Sequence, residues 1–312
     1  ISSLSESEEV KNYVNDLCGT VTSFGNKIVS KNKTLDIIIN KYSVLCENKN
    51  IKPNFDTKTE NLLFVDVTVG CETGVALFDS GAQKTVVSES FLKRSKSDLL
   101  EETVTAGNNN GHSMSLNRGM LKSIKIADKE LTNLDVLVIA DDMFKMDDSQ
   151  GHQFAADMLL GYDVISKFKW GYSPTMRNLD ISDSNMTTNE QLVYYNGFPI
   201  IKVTSGGQSY NAGIDTGHTE TILGSRFKSI IDNLVYTEDD VVGVGTTEKM
   251  YVPMVPKLDI EFEGTKVELQ NITIQDEIYG APEEMDILLG MDFLEGKEWK
   301  LDFLAGLLRF KK

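Results

Sequence analysis

The sequence has few basic residues, few cysteines and no long hydrophobic run. Its 312 residues carry 31 Lys and Arg against 47 Asp and Glu, which gives a formal net charge of -16. Such a charge disfavours binding to nucleic acids or anionic lipids, because both select basic patches. No run of 18 or more apolar residues occurs, so no membrane-spanning helix is predicted. An apolar fraction of 40% and a charged fraction of 25% are nevertheless typical of a globular protein with a core.

The three cysteines are too few and too scattered for a disulfide framework or a zinc site. Cys18 and Cys46 would pair if two N-terminal helices lay side by side; three buried free thiols, with Cys71 among them, are the alternative. The three histidines lie far apart in the sequence and do not have the spacing of metal ligands. We therefore predict no metal and no other cofactor.

A repeat with an offset of 136 residues organises most of the chain. Under this shift Asp-Ser-Gly at residues 79–81 falls on Asp-Thr-Gly at residues 215–217, and the register continues without a gap to residue 138. The spacing then slips by seven residues, so that Leu-Leu-Gly at 159–161 corresponds to Leu-Leu-Gly at 288–290. Self-similarity of this length indicates a duplication. Two domains also suit a chain of this length.

Each copy has the pattern of short antiparallel strands. Residues 63–69 alternate in polarity and end at Gly70, which predicts a hairpin. Residues 121–126 and 134–139 are rich in aliphatic side chains, as strands are. The second copy repeats these patterns, and a short helix is predicted after each Leu-Leu-Gly triplet. The strand segments predicted in the second copy are 200–204, 257–263 and 267–274.

The first fifty residues have a different pattern. Ser5 and Glu8 have the spacing of a capping box, and apolar residues recur at helical spacing in two stretches. These helices have no counterpart before the second copy. We therefore expect a helical N-terminal extension at 1–52, a first lobe at 53–181, a polar linker at 182–192 and a second lobe at 193–312.

The two Asp-Ser/Thr-Gly turns are the candidates for chemistry. Each follows an apolar strand, and a threonine with two aliphatic residues begins four positions after its glycine. One such tripeptide is typical of an ordinary Asx turn, but two at equivalent places in a repeat indicate function. Two carboxylates about 3 Å apart cannot both ionise, so together they keep one proton and can act as an acid and a base.

In these segments the chain resembles the retropepsins and their cellular and bacterial relatives. Residues 79–87 and 215–223 look like the active-site segment of that family, and Leu-Leu-Gly-x-Asp at 159–163 and 288–292 looks like its second signature. The resemblance implies a mainly β fold, in which two tandem retropepsin-like lobes form a pepsin-like bilobal protease behind the helical extension.

The resemblance also implies an activity and a set of site residues. The chain would be an aspartic endopeptidase, a hydrolase that cleaves a polypeptide substrate, and it would act as a monomer because both aspartates lie in one chain. A glycine-bearing flap hairpin is expected near residue 107 and again near residue 243. The implied residues are the catalytic Asp79 and Asp215, the supporting Ser80, Gly81, Thr216 and Gly217, and the substrate-binding flaps and neighbours Ala82, Gly107, His218 and Gly243.

His218 stands where the family usually has a small residue. We expect its imidazole either beside the Asp215 carboxylate or turned outward to fill a gap between the lobes. A bulky ring there also suits a rival class of function, a catalytically impaired protease-like module that binds an extended peptide or acts as a scaffold.

The N-terminal region allows two interpretations. Residues 1–52 would be either a pro-segment, which restrains the enzyme, or a structural cap on the β lobes. The chain begins at Ile1, as a processed form would, and so we expect an extracytoplasmic location, either periplasmic or secreted.

Overall fold

Short strands joined by tight turns make up most of the chain, as the alternating and aliphatic segments predict. The computed structural model describes residues 62–107, 113–147, 153–174, 178–183, 192–195, 198–231, 234–243, 246–278 and 285–311. The predicted helical extension and most of the predicted linker lie outside the described residues. So do Cys18 and Cys46, whereas Cys71 is a free and exposed thiol, so the interpretation of three buried thiols is wrong.

The first half of the described chain forms one large mixed sheet. Its elements are β1 (Phe64–Val69), β2 (Glu72–Phe78), β3 (Val86–Ser88), a helix (Glu89–Arg94), β4 (Asp98–Gly107), β5 (Ser113–Ile126), β6 (Lys129–Ile139), a 3-10 helix (Asp141–Phe144), β7 (Lys145–Asp147), β8 (Gln153–Ala155), β9 (Met158–Leu160) and a helix (Tyr162–Ile165). The strand order is β1-β2-β9-β3-β6-β5-β4, and β7 pairs with β8 alone.

The second half repeats this arrangement. Its elements are β12 (Val193–Tyr195), β13 (Phe198–Ser205), β14 (Gln208–Ile214), β15 (Ile222–Leu223), a 3-10 helix (Ser225–Ser229), β16 (Val235–Gly243), β17 (Thr246–Phe262), β18 (Thr265–Ile274), β19 (Ile287–Leu289) and a helix (Met291–Leu294). The order β12-β13-β14-β19-β15-β18-β17-β16 places corresponding strands in the same sequence as in the first sheet, with β12 added at one edge.

The central strands of both sheets are buried on both faces. In the first sheet β2 runs parallel to β9, with Phe78 beside Leu160. In the second sheet β14 runs parallel to β19, with Ile214 beside Leu289. All four side chains are fully buried. Such continuous apolar runs are typical of parallel strands covered on both faces, and each candidate turn begins where one of them ends.

A third sheet joins the two halves. It contains β10 (Lys169–Ser173), β11 (Asn178–Ser182), β20 (Trp299–Asp302) and β21 (Leu307–Phe310) in the order β11-β10-β20-β21. The central pair is antiparallel, with Trp170 opposite Leu301 and Tyr172 opposite Trp299. Because Trp299 lies 129 residues after Trp170, each half contributes the same strand to this contact.

The architecture is mainly β, and the predicted strands and the two short helices after the Leu-Leu-Gly triplets are confirmed. The two sheets and the joining sheet belong to one compact unit. No helix in the described part of the chain is long and apolar enough to cross a membrane.

Candidate active site

The two candidate turns lie at equivalent positions in the two sheets. Strand β2 ends at Phe78 and strand β14 ends at Ile214, so each aspartate follows a strand that the core holds in place. The backbone N–H of Asp79 donates to the Leu160 carbonyl oxygen at 3.1 Å, and that of Asp215 donates to Leu289 at 2.9 Å. Each aspartate is thereby tied to the Leu-Leu-Gly strand of its own sheet.

The residues after the aspartates connect the two turns to each other. The Ser80 hydroxyl accepts the Thr216 N–H at 3.0 Å and donates to the Ile214 carbonyl oxygen at 2.8 Å. The Thr216 hydroxyl accepts the Ser80 N–H at 3.0 Å and donates to the Phe78 carbonyl oxygen at 2.8 Å. Both side chains are fully buried. Four hydrogen bonds without access to water therefore fix one turn against the other.

The next residues bring each carboxylate against the opposite turn. A Cβ atom at Gly81 would overlap the Asp215 carboxyl group, and one at Gly217 would overlap that of Asp79. Glycine is needed at both places because only a residue without a side chain permits this approach. Each glycine therefore lies directly against the aspartate of the other half, and the two carboxylates face each other.

Backbone donors orient the two carboxylates. Asp79 Oδ1 accepts the N–H groups of Gly81 at 2.9 Å and Ala82 at 3.0 Å. Asp215 Oδ1 accepts the N–H of Gly217 at 2.9 Å. The pKa of Asp79 is raised well above its usual value, first by desolvation and then by the charge of Asp215 and a hydrogen bond with it. Two buried carboxylates that face each other therefore favour keeping one proton between them.

The second signature holds the far end of each turn. Asp163 Oδ1 accepts the Thr85 N–H at 2.9 Å and its hydroxyl at 2.7 Å. In the second half, Asp292 accepts the Thr221 N–H at 2.9 Å and its hydroxyl at 2.7 Å. Both threonines and both Leu-Leu-Gly-x-Asp motifs stand out in the sequence, but their contact was not predicted. The contact could have been inferred from the sequence, because each motif recurs at the same place in both copies.

Gly161 and Gly290 allow this contact. A Cβ atom at Gly161 would lie within 2.9 Å of three backbone atoms of Lys84, and one at Gly290 would meet Glu220 in the same way. Burial at this contact raises the pKa of Asp163 and of Asp292, although the threonine hydrogen bonds act in the opposite direction.

A further pair of aspartates supports the strands that precede the site. Asp157 accepts the Val75 N–H at 3.0 Å and pairs with Arg94 at 2.8 Å. Asp286, 129 residues later, binds the Asn211 N–H and Arg226, each at 3.0 Å. Sequence analysis missed this network, because its members are 60 to 82 residues apart and belong to no recognised motif.

Both expected flaps are antiparallel hairpins. Strands β4 and β5 pair up to Gly107 opposite Ser113, and strands β16 and β17 pair up to Gly243 opposite Thr246. The first hairpin extends beyond the rest of its sheet, because β5 pairs with β6 only from Asn117 onward. The first hairpin tip, residues 108–112, lies outside the described residues.

The residues that follow Gly81 and Gly217 make the same backbone contact in the two halves. The Ala82 carbonyl oxygen accepts the Tyr162 N–H at 2.8 Å, and the His218 carbonyl oxygen accepts the Met291 N–H at 2.8 Å. The Nδ1 atom of the His218 ring lies 2.6 Å from the carbonyl oxygen of Glu220 in the same turn.

The two corresponding turns thus bring Asp79 and Asp215 together, with each carboxyl group against the glycine of the opposite turn. Residues 65–167 match the family model described as gag-polyprotein putative aspartyl protease. This segment includes the Asp79 turn and the first Leu-Leu-Gly-x-Asp signature, so the predicted resemblance to retropepsin-like aspartic proteases is confirmed for these residues. No curated protein matches the chain.

Proposed function

We propose that this protein is an aspartic endopeptidase in which Asp79 and Asp215 together activate a water molecule. The observation that carries the proposal is the reciprocal exchange between the two turns. Ser80 and Thr216 bind each other's backbone N–H groups, and Gly81 and Gly217 admit the opposing carboxylates. This arrangement fixes the two carboxylates in each other's field, as a shared-proton pair requires.

In this proposal Asp79 is the acid and Asp215 is the base, and the raised pKa of Asp79 supports that choice. Protonated Asp79 donates its proton to the carbonyl oxygen of the scissile peptide, while ionised Asp215 removes a proton from the attacking water. The water oxygen bonds to the carbonyl carbon and gives a tetrahedral diol. The C–N bond then breaks, the amine leaves with a proton from Asp215, and Asp79 takes back its proton from the diol. The pair ends as it began, with one proton.

We propose that the two lobes are tandem copies and that one chain is the active unit. The central strands of the joining sheet support this, since Trp170 faces Leu301 while the equivalent Trp299 faces Tyr172. In this contact each half contributes its equivalent strand, as two identical subunits do when they associate. Here both strands come from one chain, so specific activity should not fall on dilution.

We also propose that the substrate is a polypeptide bound in extended form under the two hairpins. Gly107 and Gly243 lie at the ends of these hairpins, where a flexible backbone permits closure over a bound chain. Closure excludes water from the aspartates and strengthens the electrostatic interactions between them and the peptide.

Incubation with a chemically unfolded protein, with the new termini identified by mass spectrometry, tests the proposed activity. The wild-type protein should produce cleavage products under acidic to neutral conditions, and the Asp79→Asn variant should produce none. A protein that binds the unfolded chain and never cleaves it would instead be a catalytically impaired peptide-binding module. Equal cleavage by a folded Asp79→Asn variant would contradict the assignment of the aspartates.

A further inference from the structure

The two flap hairpins differ in the register of their strands. In the second hairpin β16 and β17 pair residue for residue throughout. In the first hairpin the register between β4 and β5 shifts between Leu99 and Thr103, and the three intervening residues lie in a bulge opposite Arg118. A bulge changes the direction of side chains and is common beside active sites. The side chains at this bulge therefore have contacts that the second hairpin cannot copy.

Arg118 connects the bulge to the neighbouring strand β6. Its guanidinium group forms an ion pair with Glu102, which belongs to the bulge. On its other side the Nε atom donates to Asp135 Oδ1 at 3.1 Å, and the Nη2 atom lies 3.1 Å from Asp135 Oδ2. Two parallel contacts of this kind fix the orientation of a carboxylate more firmly than a single contact does. Arg118 is 28% exposed and Asp135 33%, so water screens the pair only in part.

Asp135 also binds the turn that follows Asp79. The Lys84 ammonium group lies 3.5 Å from Asp135 Oδ2 and donates to the Asp135 carbonyl oxygen at 3.3 Å. The same ammonium group is 3.8 Å from Oδ2 of Asp163. Asp163 holds Thr85 at the far end of the turn through two hydrogen bonds. One carboxylate on β6 therefore contacts both the first hairpin and the Asp79 turn.

The charges in this network alternate in sign. They run from Glu102 through Arg118, Asp135 and Lys84 to Asp163. Burial alone would raise the pKa of Asp135, but the hydrogen bond from Arg118 and the charges of Lys84 and Arg118 lower it below its usual value. Of the five side chains, Asp135 is the one in contact with both cations. Its loss would therefore weaken the contacts on both sides.

The second half has different residues at the three central positions of the network. Those that correspond to Lys84, Arg118 and Asp135 are Glu220, Met254 and Asn271. None of these three carries a positive charge, so the same ionic link cannot form between the second hairpin and its turn. The network and the bulge thus both belong to the first half.

We propose that Asp135 is a positioning residue, which holds the first hairpin at a fixed place relative to the Asp79 turn. This proposal rests on the proposed protease function, in which the hairpin closes over a peptide bound at the aspartates. Because one carboxylate orients both Arg118 and Lys84, the hairpin and the turn move together. The two flaps are then not equivalent, since the second lacks this link.

Four variants test the link. Asp135→Asn keeps the size of the side chain and one of its oxygens, removes the charge that both cations share, and introduces the residue of the second half. Arg118→Met and Lys84→Met each remove one cation and leave the other bound to Asp135. Glu130→Gln is the matched control, because Glu130 lies on the same strand and its ion pair with Lys125, at 3.7 Å, is exposed.

Hydrogen exchange followed by mass spectrometry measures the link without substrate. In Asp135→Asn, exchange at residues 99–107 of the hairpin and at residues 82–87 of the turn should both become about 3- to 10-fold faster, as loss of a partly screened ion-pair network implies. Arg118→Met should change the hairpin alone, and Lys84→Met the turn alone. Glu130→Gln should exchange as the wild type does.

Two results would overturn the link. If Asp135→Asn changed the exchange of only one of the two segments, the carboxylate would not connect them. If it changed neither segment, the network would have no positional role.

The kinetics of the same variants separate positioning from stability. Asp135→Asn should lower kcat for peptide cleavage about 3- to 10-fold and change KM less than about twofold, because a displaced hairpin no longer aligns the bound peptide with Asp79 in the transition state. Glu130→Gln should retain the wild-type kcat. An unchanged kcat in folded Asp135→Asn would overturn the positioning role, and so would a rise in KM alone. If the wild type cleaves no polypeptide, the proposed function fails, while the exchange rates still decide whether Asp135 connects the hairpin to the turn.

Discussion

The Asp79 turn and the Asp215 turn have the same backbone hydrogen bonds but different charges around them. Each has a buried hydroxyl that spans to the other half, a glycine against the opposite carboxylate, and a threonine held by the aspartate of the second signature. The surrounding charges are not shared, since Lys84 corresponds to Glu220 and Ala82 to His218.

This difference shows which features the site requires. Small residues and buried hydroxyls recur because the backbone of one turn must lie against the carboxylate of the other, and a methyl group or a lost donor would separate them. Charges at the half-exposed edge can differ, because solvent screens them and several arrangements neutralise the same buried carboxylate. The predictions below test how far the two halves are equivalent.

The largest expected effect is on the aspartates themselves. Asp79→Asn and Asp215→Asn should each lower kcat/KM for peptide hydrolysis by about 1,000-fold or more, and the double variant should be no worse, because groups that act as a unit are not additive. Steady-state cleavage of a peptide found in the first assay measures this. Asp142→Asn, at an exposed aspartate, is the matched control. If only one of the two substitutions lowered kcat/KM, the two aspartates would not act as a pair.

Adding one methyl group at either glycine should have the next largest effect. Gly81→Ala and Gly217→Ala place a Cβ atom into the opposing carboxyl group and should each lower activity about 100-fold, the cost of a displacement of roughly 1 Å at a reacting group. Gly171→Ala, whose new Cβ atom would meet nothing closer than 3.9 Å, is the control and should retain activity. If Gly81→Ala alone were tolerated, the two turns would not approach each other equally.

The cross-turn hydroxyls should contribute equally to stability. Ser80→Ala and Thr216→Ala each leave a buried N–H and a buried carbonyl oxygen without a partner, so each should lower the free energy of unfolding by about 1–3 kcal/mol. Urea unfolding measures the loss. The exchanges Ser80→Thr and Thr216→Ser keep the hydroxyl and serve as controls. A difference of several kcal/mol between the two alanine variants would show that one half carries the contact.

The smallest effect distinguishes the two signature aspartates. Asp163 uses only Oδ1 for Thr85, and its Oδ2 atom makes no hydrogen bond to any residue that the structure describes. Asp292 accepts backbone N–H groups on both oxygens, from Thr221 and Phe293. In Asp292→Asn the new NH2 group would therefore face a backbone N–H donor. In Asp163→Asn the NH2 group can take the place of Oδ2 without facing one. We expect Asp292→Asn to cost about 1–2 kcal/mol more than Asp163→Asn.

The cost of Asp163→Asn should also depend on pH. The folded protein raises the pKa of Asp163, so the wild type is favoured while this carboxyl is protonated and loses that stability as the pH rises through the raised value. The asparagine variant has no such loss. The gap in unfolding temperature between wild type and variant should therefore be smaller at pH 7 than at pH 4. A gap that grows with pH would contradict the raised pKa.

Sequence patterns predicted the strands and turns because these depend on local features. The apolar run that ends at Phe78 and the glycines of both turns have clear reasons within a few residues. The contact of Asp163 with Thr85 spans 78 residues, and that of Asp157 with Val75 spans 82. Such contacts depend on how strands pair in the sheet. The contact of the His218 ring with the Glu220 carbonyl oxygen also escaped prediction, since it depends on the conformation of the turn.

The most direct test of the central claim, that the two turns form one dyad, is the titration of the Asp79 carboxyl followed by carbon-13 NMR. Desolvation, the charge of Asp215 and a hydrogen bond with it all raise the pKa of Asp79. The wild type should therefore show the pKa of Asp79 well above the usual aspartate range. In Asp215→Asn this pKa should fall but stay above that range, since desolvation remains. An Asp79 pKa that does not respond to Asp215→Asn would contradict the dyad.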